Sequence, residues 1–123
     1  MLHKLFRQID LPSYKSQALN QLKQVLAIPS ISAQNTGMKE SAALLGRLFR
    51  QNGFKVTTTT MSGNTIVLAR RIVSAQAPTV LFYNHYDVQP PEPLEEWVTA
   101  PFKPSIRQGK LFARGAADNK GNL

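Results

Sequence analysis

The sequence has no cysteine. Disulfides and thiolate metal sites are therefore excluded, and any metal must be held by histidine and carboxylates. Histidine itself is scarce, with only His3 and His85 present. Acidic side chains are few, 7 Asp+Glu against 15 Lys+Arg, and no Glu follows Glu96. Long apolar runs are missing too. None approaches the roughly 18 residues of a membrane span. The first ten residues are interrupted by charges, so they read as neither a span nor a secretory leader. Internal repeats and low-complexity tracts are also absent. These lacks together fit a cytoplasmic protein without a membrane partner.

What is present is enough for one modest domain or a piece of one: 123 residues, 42% of them hydrophobic. The net charge of +8 raises a nucleic-acid reading. Against it, the basic residues are scattered and Arg70-Arg71 is the only basic pair. A solvated basic surface accounts for them better, and no nucleic-acid partner is expected.

Residues 1–12 form a short basic lead ending at Leu11-Pro12. Ser13 then suits a helix N-cap. Tyr14, Ala18, Leu22, Val25 and Leu26 recur at helical spacing, and Pro29 stops that helix. Residues 30–37 read as a loop. A second helix is expected over 38–51, with Met38, Ala42, Leu45 and Phe49 on its buried face. Lys39, Arg47 and Arg50 point elsewhere, and Gly53 ends it. Residues 54–60 and 65–70 read as strands of a hairpin turning at Ser62-Gly63-Asn64. Residues 79–83 read as a third strand, and their unbroken apolar character implies burial on both faces. Five prolines between 90 and 104, with Trp97 and Phe102 among them, mark a rigid irregular loop. A last strand over 110–113 gives way to a glycine-marked turn at 114–121. The order of elements indicates an α/β domain with a mixed sheet and flanking helices.

Chemistry gathers where strands are expected to end. His85 and Asp87 are two apart, so in extended chain they point the same way. Asp87 could then accept from Nδ1 of His85 and leave Nε2 for a metal. As a pattern His-x-Asp is weak, and a packed or surface histidine fits it as well. Asp118 reads either as a turn or N-cap residue or as a carboxylate bridging two metals, if its loop meets His85. Arg114 and Lys120 flank it, to position an anionic substrate, to pair with Asp118, or as surface charges. Trp97 is expected to pack the proline-rich loop onto the domain rather than to recognise substrate; Glu92, Glu95 and Glu96 are of the residue type for a general base, but the Glu95-Glu96 pair is expected to face solvent.

Four ordered blocks carry a resemblance. They are Ile28-Pro29-Ser30-Ile31-Ser32; Asn84-His85-Tyr86-Asp87-Val88-Gln89-Pro90; Trp97 with Pro101-Phe102-Lys103-Pro104; and the run Gly109-Lys110-Leu111-Phe112-Ala113-Arg114-Gly115-Ala116-Ala117-Asp118-Asn119-Lys120-Gly121. Together they resemble the dinuclear zinc peptidases, the family of carnosinase, cytosolic dipeptidase, aminoacylase, glutamate carboxypeptidase and succinyl-diaminopimelate desuccinylase. The form His-Tyr-Asp-Val-Gln-Pro is most similar to the carnosinase and dipeptidase branch.

The resemblance implies that His85 is a metal ligand and that Asp118 bridges two divalent ions and precedes a cis peptide bond. It places Asp87 in the catalytic machinery as the residue that orients His85. Zinc is the expected metal, with manganese or cobalt as substitutes. The implied activity is hydrolysis of dipeptides or related amide bonds through a metal-bridged water, with a small peptide as substrate and a homodimer of the full-length parent. Three positions depart from the family pattern: Asn84 and Ala113 stand where Gly is usual, and Asn119 where an acidic residue is usual. The family's general base, its further acidic ligands, a distal His and a lid domain have no counterpart here. Residues 1–123 are therefore expected to be the N-terminal part of a metallopeptidase catalytic domain, inactive alone. Two other functions compete: a non-enzymatic remnant serving as a binding module, and a basic nucleic-acid binder.

Overall fold

The computed structural model describes residues 11–123. Helix α1 spans Leu11–Ala27 and helix α2 spans Met38–Gln51. Strands β1 (Lys55–Met61) and β2 (Asn64–Arg70) form one antiparallel pair, and β3 (Ser105–Arg107) and β4 (Lys110–Phe112) a second. Short 3-10 turns cover Ser32–Gln34, Leu94–Glu96 and Lys120–Asn122. No helix among the described residues is long and apolar enough to cross a membrane.

The lead expected over 1–12 lies outside the described residues, except that its last two residues open α1. Ser13 is thus inside the helix rather than its cap. Pro12 explains the earlier start, since proline is tolerated in the first turn, where N–H groups lack helical partners. The apolar stripe of α1 is buried only toward its C-terminal end. Val25 and Leu26 are in the core, whereas Tyr14 and Ala18 are exposed.

Helix α2 follows its sequence closely. Met38, Ala42, Leu44 and Leu45 are buried, and Lys39, Arg47 and Arg50 are exposed. Leu44 and Leu45 meet Val25 to form the core, and Ile28, Leu48, Phe49 and Tyr86 close around it. Gly37 starts α2 at φ 66, and a Cβ there would lie 2.2 Å from the Pro29 carbonyl oxygen. The helix ends through Gly53 at φ 80. Phe54 then stacks edge-on to Phe49, with ring centroids 5.6 Å apart. The β1–β2 hairpin runs in register from Lys55↔Arg70 to Met61↔Asn64 around Ser62 and Gly63, both at positive φ. On β2, Thr65, Val67 and Ala69 face inward, alternating with exposed neighbours.

One expectation of the fold needs correction. Residues 79–83 form no strand, and Val80, Leu81, Phe82 and Tyr83 are 73%, 81%, 83% and 91% exposed. Burial on both faces needs elements packed against each face, and among the described residues none covers this run. Strand β3 directly follows the proline-rich stretch of 90–104, in residues for which no strand was expected. Gln108 and Gly109, both at positive φ, turn it into β4.

Candidate metal centre

Four segments remote in sequence build the site. The segment 84–90 is irregular but firmly held. The Val88 N–H donates to the Ser30 carbonyl at 2.8 Å, and Ser30 Oγ donates to the Tyr86 carbonyl at 2.6 Å. Ser30 is fully buried and Val88 nearly so. The Tyr86 hydroxyl donates to the Thr65 carbonyl on β2 at 2.6 Å. Burial and the nearby Asp87 charge raise the Tyr86 pKa against the opposing effect of that bond. Tyr86→Phe keeps the ring in the core and removes one bond. It should lower stability by about 0.5–1.5 kcal/mol, read from the urea midpoint at unchanged slope.

With that backbone fixed, His85 Nδ1 lies 3.0 Å from Asp87 Oδ1 and 3.2 Å from the Asp87 carbonyl oxygen. The other Asp87 oxygen, Oδ2, accepts from Ser32 Oγ at 2.6 Å. Asp87 therefore uses both oxygens. Its pKa is lowered: partial burial pushes it up, but the bonds from Ser32 and His85 outweigh that. Two acceptors on Nδ1 fix the tautomer with the proton there.

The Nε2 of His85 lies 3.0 Å from Asp118 Oδ1. Two lone-pair donors at that distance need a proton or a cation between them. Accordingly the His85 pKa is raised. Burial pulls it down, and the Asp87 and Asp118 carboxylates more than offset this. Donors around one zinc ion at about 2.0–2.2 Å sit roughly 3.4 Å apart, so a small opening of this pair suits an ion. The residues present fit a metal as one corner of a site. Among the described residues no group of three or more His, Cys, Asp or Glu side chains is arranged to hold an ion.

Asp118 is carried by the turn after β4, and its bond to Asn119 is cis. The Arg114 N–H donates to the Pro101 carbonyl at 2.8 Å, and Arg114 Nη2 donates to the Pro90 carbonyl at 3.1 Å. The Arg114 guanidinium lies over the Trp97 ring, 5.2 Å from its centroid. Trp97 in turn donates to the Pro91 carbonyl at 2.7 Å. Trp97 thus packs the proline-rich loop, as expected, and Glu95 and Glu96 face solvent. Gly115, at φ 85, lets the turn approach Val88, where a Cβ would be 2.7 Å from Cγ1. A shallow cleft of about 180 Å³ opens beside Asp118, lined by Gln89, Trp97, Ala113, Arg114, Gly115 and Ala117.

Lys120 fits none of the three readings the sequence offered. It neither faces a substrate nor lies on the surface. It is fully buried, and Nζ donates to the carbonyls of Ile28 at 2.6 Å and Val25 at 3.0 Å. Burial pushes its pKa down to about 8. Lys120 therefore anchors the Asp118 turn on the C-terminal end of α1. Ser30, Ser32 and Tyr86 are the other residues whose roles the sequence did not reveal. The alternation of Ser30 and Ser32 in an extended Ile-Pro-Ser-Ile-Ser block was the available signal, since it puts both hydroxyls on one side. Asn84 and Asn119, two of the departures from the family pattern, are hydrogen-bonded to each other at 3.3 Å.

Residues 81–123 match the model for peptidase family M20/M25/M40. The similarity reaches further along the chain. Succinyl-diaminopimelate desuccinylase from Bordetella avium is 36% identical over 108 residues, 88% of this chain and 27% of the relative. Two crystal structures share the fold. The M20 family metallo-carboxypeptidase Sso-CP2 from Sulfolobus solfataricus has a TM-score of 0.79 at 42% identity, covering 84% of this chain and 24% of its own. Human carnosine dipeptidase 1 has a TM-score of 0.81 at 30% identity, covering 98% and 28%. The α/β fold class is that of the M20 catalytic domain. The chain spans about a quarter of the length of these relatives.

Proposed function

We propose that this chain is the N-terminal part of a catalytic domain that hydrolyses dipeptides or related amide bonds with two divalent metal ions, zinc foremost. The observation that carries the reading is the His85–Asp118 contact, Nε2 to Oδ1 at 3.0 Å, with Nδ1 already committed to Asp87. The M20 similarity supports the same chemistry. His85 and Asp118 would hold metal, with Asp118 as the bridge. When bound, the ions supply Lewis acidity and an activated water at neutral pH.

The chain's own residues do the positioning. Asp87 keeps the proton on Nδ1 and fixes the imidazole plane, so the Nε2 lone pair stays directed at the site. Ser32 holds the second oxygen of Asp87, which stops the carboxylate rotating away. Lys120 and Gly115 seat the turn that presents Asp118. The cleft beside Asp118 is where a small peptide would approach. Nothing in 11–123 provides a carboxylate placed as general base near that cleft. Glu92, Glu95 and Glu96 are exposed, and none of them lines it. Residues 1–123 alone are therefore assigned no hydrolysis. The test is metal content and dipeptide hydrolysis, compared between the intact native gene product and the 123-residue chain. Stoichiometric zinc or manganese with hydrolysis in the intact product alone is expected. A metal-free, inactive intact product rejects the proposal, and hydrolysis by the isolated chain rejects the division of labour.

A further inference from the structure

We propose that Asn84 and Asn119 form an amide clamp that sets the spacing of His85 and Asp118, so that both asparagines are positioning residues of the metal centre. This rests on the reading above. The geometry is direct. Asn84 immediately precedes His85, and Asn119 immediately follows Asp118. Asn119 Nδ2 donates to Asn84 Oδ1 at 3.3 Å, and Asn84 Nδ2 donates to the Asn122 carbonyl at 3.2 Å. Asn122 Nδ2 closes the ring onto Asn119 Oδ1. Asn84 and Asn119 are half-buried, and Asn122 is exposed.

The polarity of this ring is forced. A backbone carbonyl only accepts, so Asn84 must turn its NH₂ toward Asn122. Its Oδ1 then faces Asn119, which must present its own NH₂. Asn119 Oδ1 is left to accept from Asn122. Reversing Asn84 or Asn119 sets acceptor against acceptor at one contact and donor against donor at the other. The two loops are already pinned at their far end by the close approach of Gly115 to Val88. The clamp pins the near end, on either side of the donor pair. Without it His85 and Asp118 are joined only by the contact that a metal must open.

Asn119→Asp separates this role from plain electrostatics. It is isosteric, replaces the donor by an acceptor facing Asn84 Oδ1, and adds negative charge next to the metal. Charge alone would tighten cation binding, whereas loss of the clamp loosens it. The test uses the full chain, labelled at histidine rings and aspartates. Only two histidines are present, so the spectra are simple. In metal-free protein the nuclear Overhauser contact between the His85 ring Hε1 and Asp118 Hβ should be clear in the wild type and lost in Asn119→Asp and Asn84→Gly. Co²⁺ titrated by absorbance into the intact gene product should bind its Asn119→Asp variant about 10-fold more weakly, the lower end of the effect of losing an outer partner. In the Asn84→Gly background Asn119→Asp should cause no further weakening. If Asn119→Asp lowers the thermal midpoint, exposed Asn122→Asp, which removes only the donor to Asn119, carries the test and should weaken the proton contact. Retention of that contact in the variants, or unchanged or tighter Co²⁺ binding by Asn119→Asp, overturns the clamp. A wild-type intact gene product that takes up no Co²⁺ counts against the metal reading, and the proton contact still decides the clamp.

Discussion

His85→Ala is expected to abolish metal-dependent amide hydrolysis by the intact gene product and to weaken zinc binding by more than about 100-fold. That figure is the upper end of the range for losing a partner that only orients a ligand, and His85 is proposed as the ligand itself. The comparison with its supports makes the prediction specific. Asp87→Ala leaves Nε2 in place but frees the ring to rotate and the proton to move, so it should fall within about 10–100-fold. Ser32→Ala removes only the bond that holds Asp87 Oδ2 at 2.6 Å and should rank below both. His85 is exposed and outside the Val25, Leu44 and Leu45 core, so its removal should leave the far-ultraviolet spectrum unchanged. Zinc affinity by competition with a chromophoric chelator, measured beside turnover, gives the order. An Asp87→Ala defect larger than that of His85→Ala would show that the roles are wrongly assigned.

Lys120→Met should cost more stability than Tyr86→Phe, because it strips two carbonyls of a charged donor rather than one of a neutral donor. Helix α1 ends at Ala27, so the Val25 carbonyl is among those with no partner inside the helix. The Lys120 ammonium satisfies it and the Ile28 carbonyl together, and a cation is favoured at a helix C-terminus. Methionine has similar length and no donor, so both carbonyls lose their charged partner in a buried setting. Bonds to charged groups contribute about 1.5–3 kcal/mol each. Removing the charge also relieves the cost of burying it, which offsets part of the loss. A net destabilisation of about 1.5–3 kcal/mol follows, near the value of one such bond. Urea unfolding of the full chain measures it. Equal or greater stability in the variant would mean that the desolvation of Lys120 outweighs its two bonds.

The sequence showed the local elements well and the long-range contacts poorly. Helix α2 and the β1–β2 hairpin lie where periodicity, Gly53 and the Ser62-Gly63 turn put them, because each is specified by residues close in the chain. His85 and Asp87 were legible as a pair because extended geometry relates residues two apart. Their meeting with Asp118 was a conjunction that residues alone left open, since it depends on how two loops dock. Lys120 was misread because burial of a charge can be foreseen only when the distant carbonyls that receive it are known. Residues 79–83 were misread for the converse reason. Apolar β-branched and aromatic residues describe an aptitude for pairing, and no described strand takes it up.

The attachment of Lys120 to α1 also sets an order of events. Its bonds span 92 and 95 residues, and the Ser32–Asp87 bond spans 55. Contacts of such separation close large loops, so they form late in folding and open early. The turn bearing Asp118 can lift from α1 while α2 and the β1–β2 hairpin stay intact, as a unit of low local stability. Catalytic competence would then be lost at milder denaturant than the fold.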